Sequence, residues 1–272
     1  MENKSRRVAR IKNKLFLFVL LGVILSFSAC VSHIQQLREA QNQFNMAATM
    51  ENQIKLGNPR SAIVSAGEAT VSYRIAVKII SDLLEKNRSE LQKDRLLGNA
   101  YTIKAMAEWR LGEYDSAMKT VSTALGQLGL EIFPRDRVLL QALRGLIKND
   151  QAFAHMMEKD YPYTDIKNLL VDSLHNLDSA LATAPKGSRI RLYILLSELA
   201  VLKNWADLRG EPGTYSESLP ADFDKITEIN EWCNSAKPVW KNFVEECKKV
   251  PEGGDSLLRD WGRRLGMPES CN

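Results

Sequence analysis

From Val31 onwards, the sequence consists of helical segments separated by short groups of helix-breaking residues. Segments of about 15 to 28 residues carry apolar residues at helical spacing, and runs of alternating β-branched residues, typical of strands, are almost absent. The breaks fall at Gly57–Pro59, Asn87–Ser89, Gly112, Phe133–Pro134, Tyr161–Tyr163, Pro185–Gly187 and Arg209–Pro220. This pattern predicts an all-α fold with eight helices and a short terminal one.

Three of the segments share an internal repeat: a small residue, a bulky residue four positions later, and a small residue three positions after that. On a helix these positions form one stripe, where the small residues let a neighbouring helix approach and the bulky one fills the groove. The same stripe occurs in any tightly packed helical bundle. The copies are Ala69–Tyr73–Ala76, Ala117–Val121–Ala124 and Ser173–Leu177–Ala180.

The second copy begins at the last residue of the sequence RLGEYDSA, residues 110–117, which resembles the centre of a tetratricopeptide repeat. In that family a glycine ends the first helix, an aromatic residue packs across the turn, and a small residue seats the helix pair. Gly112, Tyr114 and Ala117 match these positions, while Glu108 stands where an aromatic residue is usual. The resemblance covers residues 92–125, and the copies are spaced more widely than the family's repeat of about 34 residues.

The resemblance implies a right-handed α-solenoid of about four helix hairpins, with a short C-terminal capping helix. Each hairpin needs its neighbours to bury its apolar face, so residues 30–250 are expected to form one stacked array rather than separate domains. The implied hairpins are roughly residues 32–86, 90–130, 135–184 and 187–250, and the capping segment is residues 251–272.

In this family the first helix of a repeat lines a binding groove. The resemblance therefore implies candidate groove residues in the second hairpin: Asn99, Thr102, Met106, Trp109 and Arg110. Met106 and Trp109 are candidates for anchoring a partner's side chain, and Arg110 for meeting a carboxylate. The alternative is that Trp109 belongs to the core between hairpins.

The N-terminus has the features of a bacterial export signal. Six cationic residues precede an apolar run at residues 15–27, which spans only about 20 Å as a helix, against about 30 Å for the hydrocarbon core of a membrane. The run ends in FSAC, which resembles the lipobox of bacterial lipoproteins, although Phe27 replaces the usual leucine. The resemblance implies removal of residues 1–29 and a lipid anchor on Cys30. An ordinary signal peptide and an uncleaved anchor are the alternatives.

Removal of residues 1–29 and lipidation of Cys30 would determine the compartment of the mature protein and its net charge. Val31, rather than aspartate, follows the cysteine, which in lipoproteins of this kind indicates the outer membrane, facing the periplasm. The whole chain has 37 Lys and Arg against 33 Asp and Glu, but residues 1–29 hold six of the cations and one of the anions. The mature chain is therefore nearly neutral, and no nucleic-acid partner is expected.

Three further cysteines, Cys233, Cys247 and Cys271, lie in the last forty residues. An exported compartment permits disulfides. Cys233 and Cys247 lie on the order of 20 Å apart if they share a straight helix, too far to pair unless Pro238 folds the chain back. We predict a Cys233–Cys271 disulfide, because a returning terminal helix would carry Cys271 towards Cys233. Cys247–Cys271 pairing and three reduced thiols are the alternatives.

Catalytic and metal-binding patterns are missing from the sequence. Its three histidines, His33, His155 and His175, show no HExxH-type spacing, and we expect His155 to be a half-buried packing residue. Acidic neighbours such as Glu245 and Glu246 are expected on solvated helix faces. We therefore predict no catalytic residue, no metal and no cofactor.

The leading functional hypothesis is a lipid-anchored scaffold that binds another envelope protein, in an assembly, secretion or pilus complex, and is not an enzyme. The first alternative is a helical lipoprotein subunit of a TRAP-type solute-uptake system, which binds a small ligand. A cell-wall-active enzyme is the third.

Overall fold

The computed structural model describes residues 32–56, 59–127, 132–158, 161–210 and 225–249. These residues form nine helices and no strand, so the all-α prediction is confirmed for the described part of the chain. Eight of the helices are long, and α3 has only six residues. The helices are α1 (His33–Leu56), α2 (Pro59–Lys86), α3 (Arg88–Lys93), α4 (Leu97–Arg110), α5 (Tyr114–Gln127), α6 (Pro134–Met156), α7 (Tyr163–Thr183), α8 (Arg189–Gly210) and α9 (Lys225–Lys249).

Most breaks between the helices have a local cause in the sequence. Pro134 is the first residue of α6, where its missing N–H costs nothing, and Pro162 lies just before α7. Gly112, with φ +75°, ends the α4–α5 turn, and Gly187, with φ +71°, forms the α7–α8 turn. This left-handed backbone is available to glycine at little cost, which explains why both turns fall at glycines.

The long helices pack in consecutive pairs along the chain: α1 with α2, α4 with α5, α6 with α7, and α8 with α9. The second helix of each pair also packs against the first helix of the next, as α2 does on α4, α5 on α6 and α7 on α8. In addition, the first helices contact one another in order, α1 with α4, α4 with α6, and α6 with α8. Functional side chains on these first helices can therefore meet.

The repeated stripe of small and bulky residues is confirmed as a packing surface. Its nine residues lie on α2, α5 and α7, the second helices of their pairs, and all are at most 2% exposed. In the third copy, the Ser173 hydroxyl donates to the carbonyl oxygen of Gly145 on α6 at 2.7 Å. A Cβ atom on Gly145 would lie 2.7 Å from Leu177 Cγ, so α6 and α7 touch where the glycine permits it.

The buried apolar side chains form two clusters, and α6 contributes to both. Leu140, Leu143 and Ile147 belong to the cluster built by α1–α5, whereas Val138 and Ala142 belong to the cluster built by α7–α9. Helix α6 is thus the element that joins the N-terminal and C-terminal parts of the core.

Helix α9 is continuous through Pro238, which therefore does not fold the chain back. Cys233 is disulfide-bonded, which excludes the alternative of three reduced thiols. Cys247 lies on the same helix fourteen residues later, about 21 Å along its axis, and cannot be the partner. The pairing of Cys233 with Cys271 stays a prediction, because Cys271, like Cys30 and residues 1–29, lies outside the described residues.

Candidate functional site

Four side chains from three of the first helices meet around Arg110, and we call them the Arg110 cluster: Glu51, Trp109, Arg110 and Asp150. The indole N–H of Trp109 on α4 donates to Asp150 Oδ2 on α6 at 2.8 Å. The Arg110 guanidinium lies over the Trp109 ring, 4.2 Å from its centroid, and is 3.8 Å from Glu51 Oε2 on α1. The cluster thus connects α1, α4 and α6 at one place.

Trp109 has a positioning role in this cluster. Its side chain is only 7% exposed and packs in the N-terminal core. This burial favours the interpretation of Trp109 as a core residue between helices rather than as an anchor for a partner. Its ring nevertheless provides the surface on which Arg110 rests, and its hydrogen bond to Asp150 fixes the orientation of that ring.

The other predicted groove residues differ in their exposure. Thr102 is buried, and its hydroxyl donates to the Gly98 carbonyl of its own helix at 2.8 Å, so it is not presented to a ligand. Asn99 and Met106 are half-buried, and Met106 packs against the core. Arg110 is the exposed member of the five.

Arg110 is held in place but keeps most of its donors available. At 3.8 Å its contact with Glu51 is an ion pair, and this distance is too long for a hydrogen bond. A guanidinium carries five N–H donors in a planar fork that matches a carboxylate. Because stacking on Trp109 restrains the side chain beforehand, less conformational entropy is lost when an anion binds.

Two poorly solvated tyrosines lie near the cluster. Burial raises the pKa of Tyr73, and the negative charge of the neighbouring Glu51 raises it further. Burial also raises the pKa of Tyr193 on α8, against the opposing effect of the nearby Arg110, while Asp150 adds to the increase. The inner side of the cluster therefore lies against poorly solvated tyrosines, whereas Arg110 itself is exposed.

Glu108, which replaces the expected aromatic residue, is a buried structural acid. It is 2% exposed and accepts hydrogen bonds from Ser116 Oγ at 2.8 Å and Thr120 Oγ1 at 2.7 Å, both on α5. Lys104 Nζ lies 3.4 Å away, one turn earlier on α4. These partners explain how a carboxylate can occupy an apolar position of the helix pair.

Glu198 on α8 is a second buried acid, and sequence analysis missed it. Its side chain is fully buried, and within the described part of the chain neither carboxyl oxygen has a hydrogen-bond partner. Burial raises its pKa to about 8, with nearby Asp178 adding to the shift and Arg191 opposing it. The sequence feature that could have indicated its burial is its position among Leu195, Leu199 and Leu202, in a helix that is apolar on most sides.

Glu246 was predicted on a solvated face, and that prediction is wrong. It is 3% exposed and accepts the Gly187 N–H at 2.8 Å, with Arg191 Nε at 3.2 Å and Lys249 Nζ at 3.1 Å. Burial alone would raise its pKa, but the hydrogen bonds from Gly187 and Lys249 and the positive charges of Lys249 and Arg191 together hold the pKa below its ordinary value. The contact ties the end of α9 to the α7–α8 turn, which a sequence pattern cannot reveal.

His155 is half-buried, as predicted, and has local partners. Its ring stacks on Tyr161 at 3.8 Å between centroids, and its Nδ1 lies 3.0 Å from Glu158 Oε1. Among the described residues, no group of three or more His, Cys, Asp and Glu side chains is arranged to hold a metal ion.

Comparison with known proteins found no family model, no curated protein and no solved structure that matches the chain. Among the helices that the structure describes, none is long and apolar enough to cross a membrane.

Proposed function

We propose that this protein is a lipid-anchored binding scaffold of the bacterial envelope, with no catalytic activity of its own, and that it recognises an acidic group of a partner protein through the Arg110 cluster. In this proposal the mature chain starts at Cys30 and is held at the outer membrane by acyl chains on that residue. More than one chain would be needed for a stable anchor.

In this proposal the architecture is a right-handed tetratricopeptide-like solenoid, and the order of helix contacts supports its stacking of helix hairpins. Helices pair consecutively, and each second helix packs on the first helix of the next pair. In such a stack the row of first helices, α1, α4, α6 and α8, would form one continuous binding face.

One observation carries the proposal: Arg110 is exposed, stacked on a fixed tryptophan and paired only loosely with Glu51. An arginine prepared in this way suits a carboxylate on a partner, which would displace Glu51 or bridge to the remaining donors. The half-buried Met106, one turn earlier on the same helix, would add apolar contact.

The direct test is crosslinking in intact cells, followed by purification through a C-terminal tag and mass spectrometry. We expect a stoichiometric envelope protein with the native chain and its loss with Cys30→Ser, because the anchor places the scaffold beside its partner. A matched Cys247→Ser chain should keep the partner. Recovery of the chain alone, or equal recovery with all three chains, would contradict a tethered scaffold.

A subunit of a TRAP-type solute-uptake system is the second candidate. It is favoured by a largely apolar cavity of about 490 Å³ between α6, α7 and α8, a volume typical of small-molecule sites. Solute uptake by cells that lack the chain, compared with cells that carry it, would separate this candidate from the scaffold, which predicts no difference.

A further inference from the structure

The cavity between α6, α7 and α8 has the composition of a ligand site. Its volume of about 490 Å³ lies between the start of α6, the end of α7 and the start of α8, and it is open to solvent on one side. Pro134, Val138, Pro185 and Ile190 give it apolar walls. Val138 is buried in the C-terminal core and Ile190 packs against that core, so this part of the wall is held in place by the fold.

Two arginines add positive charge to these walls. Arg135 lines the cavity from α6 and Arg189 from α8; both are exposed residues, and Arg189 also takes part in a further interaction. None of the described residues that line the cavity is acidic. The neighbouring acid, Asp136, is buried beside Gly98 of α4; burial raises its pKa, and the positive charge of Arg135 acts in the opposite direction.

The apolar walls and the two arginines together favour one class of ligand. Apolar walls disfavour sugars and other highly hydroxylated solutes, because their polar groups would lose hydrogen bonds to water without replacement. Two guanidinium groups favour an anionic head over a neutral or cationic one, and their position in the first turns of α6 and α8 adds the positive ends of two helix dipoles.

We propose that this cavity binds a small organic anion with an apolar body, such as a medium-chain carboxylate, with the carboxylate at Arg135 and Arg189 and the chain against Val138 and Ile190. The inference does not rest on the scaffold function, because the Arg110 cluster is built from α1, α4 and α6 and shares no residue with this cavity.

Calorimetric titration with octanoate tests the proposal on the full mature chain in lipid nanodiscs, with empty nanodiscs as the blank. We expect saturable binding by the native chain and about tenfold weaker binding by Arg135→Gln/Arg189→Gln. The neutral analogue octanamide should bind as weakly to the native chain as octanoate binds to that double variant. Butyrate should also bind more weakly than octanoate, because it buries less apolar surface.

Two further variants make the result decisive. Ile190→Trp should fill the cavity and abolish octanoate binding while circular dichroism shows an unchanged helix content. Arg74→Gln, which removes an exposed arginine from α2, should bind octanoate like the native chain. Absence of saturable binding by the native chain, equal affinity for octanamide, or equal affinity of the double variant would overturn the proposal.

Discussion

The α4–α5 pair and the α7–α8 interface both contain a fully buried glutamate, but the two sites are built differently. Glu108 accepts hydrogen bonds from Ser116 and Thr120 on the facing helix, with Lys104 close by. Glu198 has no hydrogen-bond partner for either carboxyl oxygen within the described part of the chain. The hydrogen bonds of Glu108 therefore help to hold α4 and α5 together. Glu198 makes no such contribution among the described residues.

This difference shows that burial of an acid does not by itself predict its effect on stability. A buried carboxylate with matched donors stabilises the pair it joins, because removing it leaves those donors unsatisfied. A buried carboxyl without donors stays protonated and costs stability once it must ionise. Substitutions at the two sites should therefore change the free energy of unfolding in opposite directions.

The largest effect is expected for Glu108→Ala. The change leaves the buried Thr120 hydroxyl without its acceptor and opens a cavity between α4 and α5. We expect a loss of about 3 kcal/mol of unfolding free energy in urea denaturation. Glu113→Ala, an exposed acid just past the α4–α5 turn, should change it by less than about 0.5 kcal/mol. Similar values for the two variants would show that the Glu108 hydrogen bonds contribute little.

The contact between α6 and α7, which lies between these two sites along the chain, offers a test of packing without charge. Gly145→Ala would place a Cβ atom 2.7 Å from Leu177 Cγ and 2.9 Å from the Ser173 carbonyl oxygen. We expect a loss of about 2 kcal/mol, because the helices must separate. Gly126→Ala on α5 meets nothing within 4 Å and should instead gain about 0.5 kcal/mol. A neutral Gly145→Ala would contradict the close approach of α6 and α7.

Glu198→Leu should stabilise the protein, by about 1–2 kcal/mol at pH 7. The substitution removes two unsatisfied oxygens from an apolar environment and keeps much of the side-chain volume. Thermal unfolding of the variant, beside an exposed Glu85→Leu control that should remain within about 0.5 kcal/mol, measures the effect. Destabilisation by Glu198→Leu would mean that the carboxyl has a partner that supports the fold.

The smallest effect is a pH dependence carried by Glu198. Its pKa rises from 4.5 to about 8 on folding, so the folded chain holds a proton that the unfolded chain releases above pH 4.5. Stability should therefore fall as pH rises from about 4.5 to 8 and level off above that. Between pH 7 and pH 8 we expect a decrease of about 1 kcal/mol in the native chain. The Glu198→Gln variant should not show this decrease in stability with rising pH. An unchanged decrease would show that other groups cause it.

Much of the helical architecture could be predicted from the sequence, because its determinants are local. Prolines and glycines mark the helix ends, and the small residues of the stripe mark the faces where helices touch. Pro238 is the instructive exception. A proline alone favours a break, but tertiary packing of Cys233, Ala236 and Phe243 keeps α9 continuous through it.

The candidate site was predictable only in part, because its contacts join distant segments. The resemblance to a repeat pointed to Trp109 and Arg110 on one helix. Their partners Glu51 and Asp150 lie more than forty residues away on either side and belong to no motif. The role of Glu246 was missed for the same reason, since its partner Gly187 lies 59 residues earlier in the chain.

The most direct test of the proposed scaffold compares three tagged chains after crosslinking in intact cells: native, Arg110→Gln and Arg74→Gln. The two variants each remove one exposed arginine, so they match in charge. We predict that the native and Arg74→Gln chains recover the same envelope protein in equal amounts, and that Arg110→Gln recovers at least fivefold less, with unchanged thermal stability. Equal recovery by all three chains, or no protein above background with the native chain, would contradict binding through Arg110.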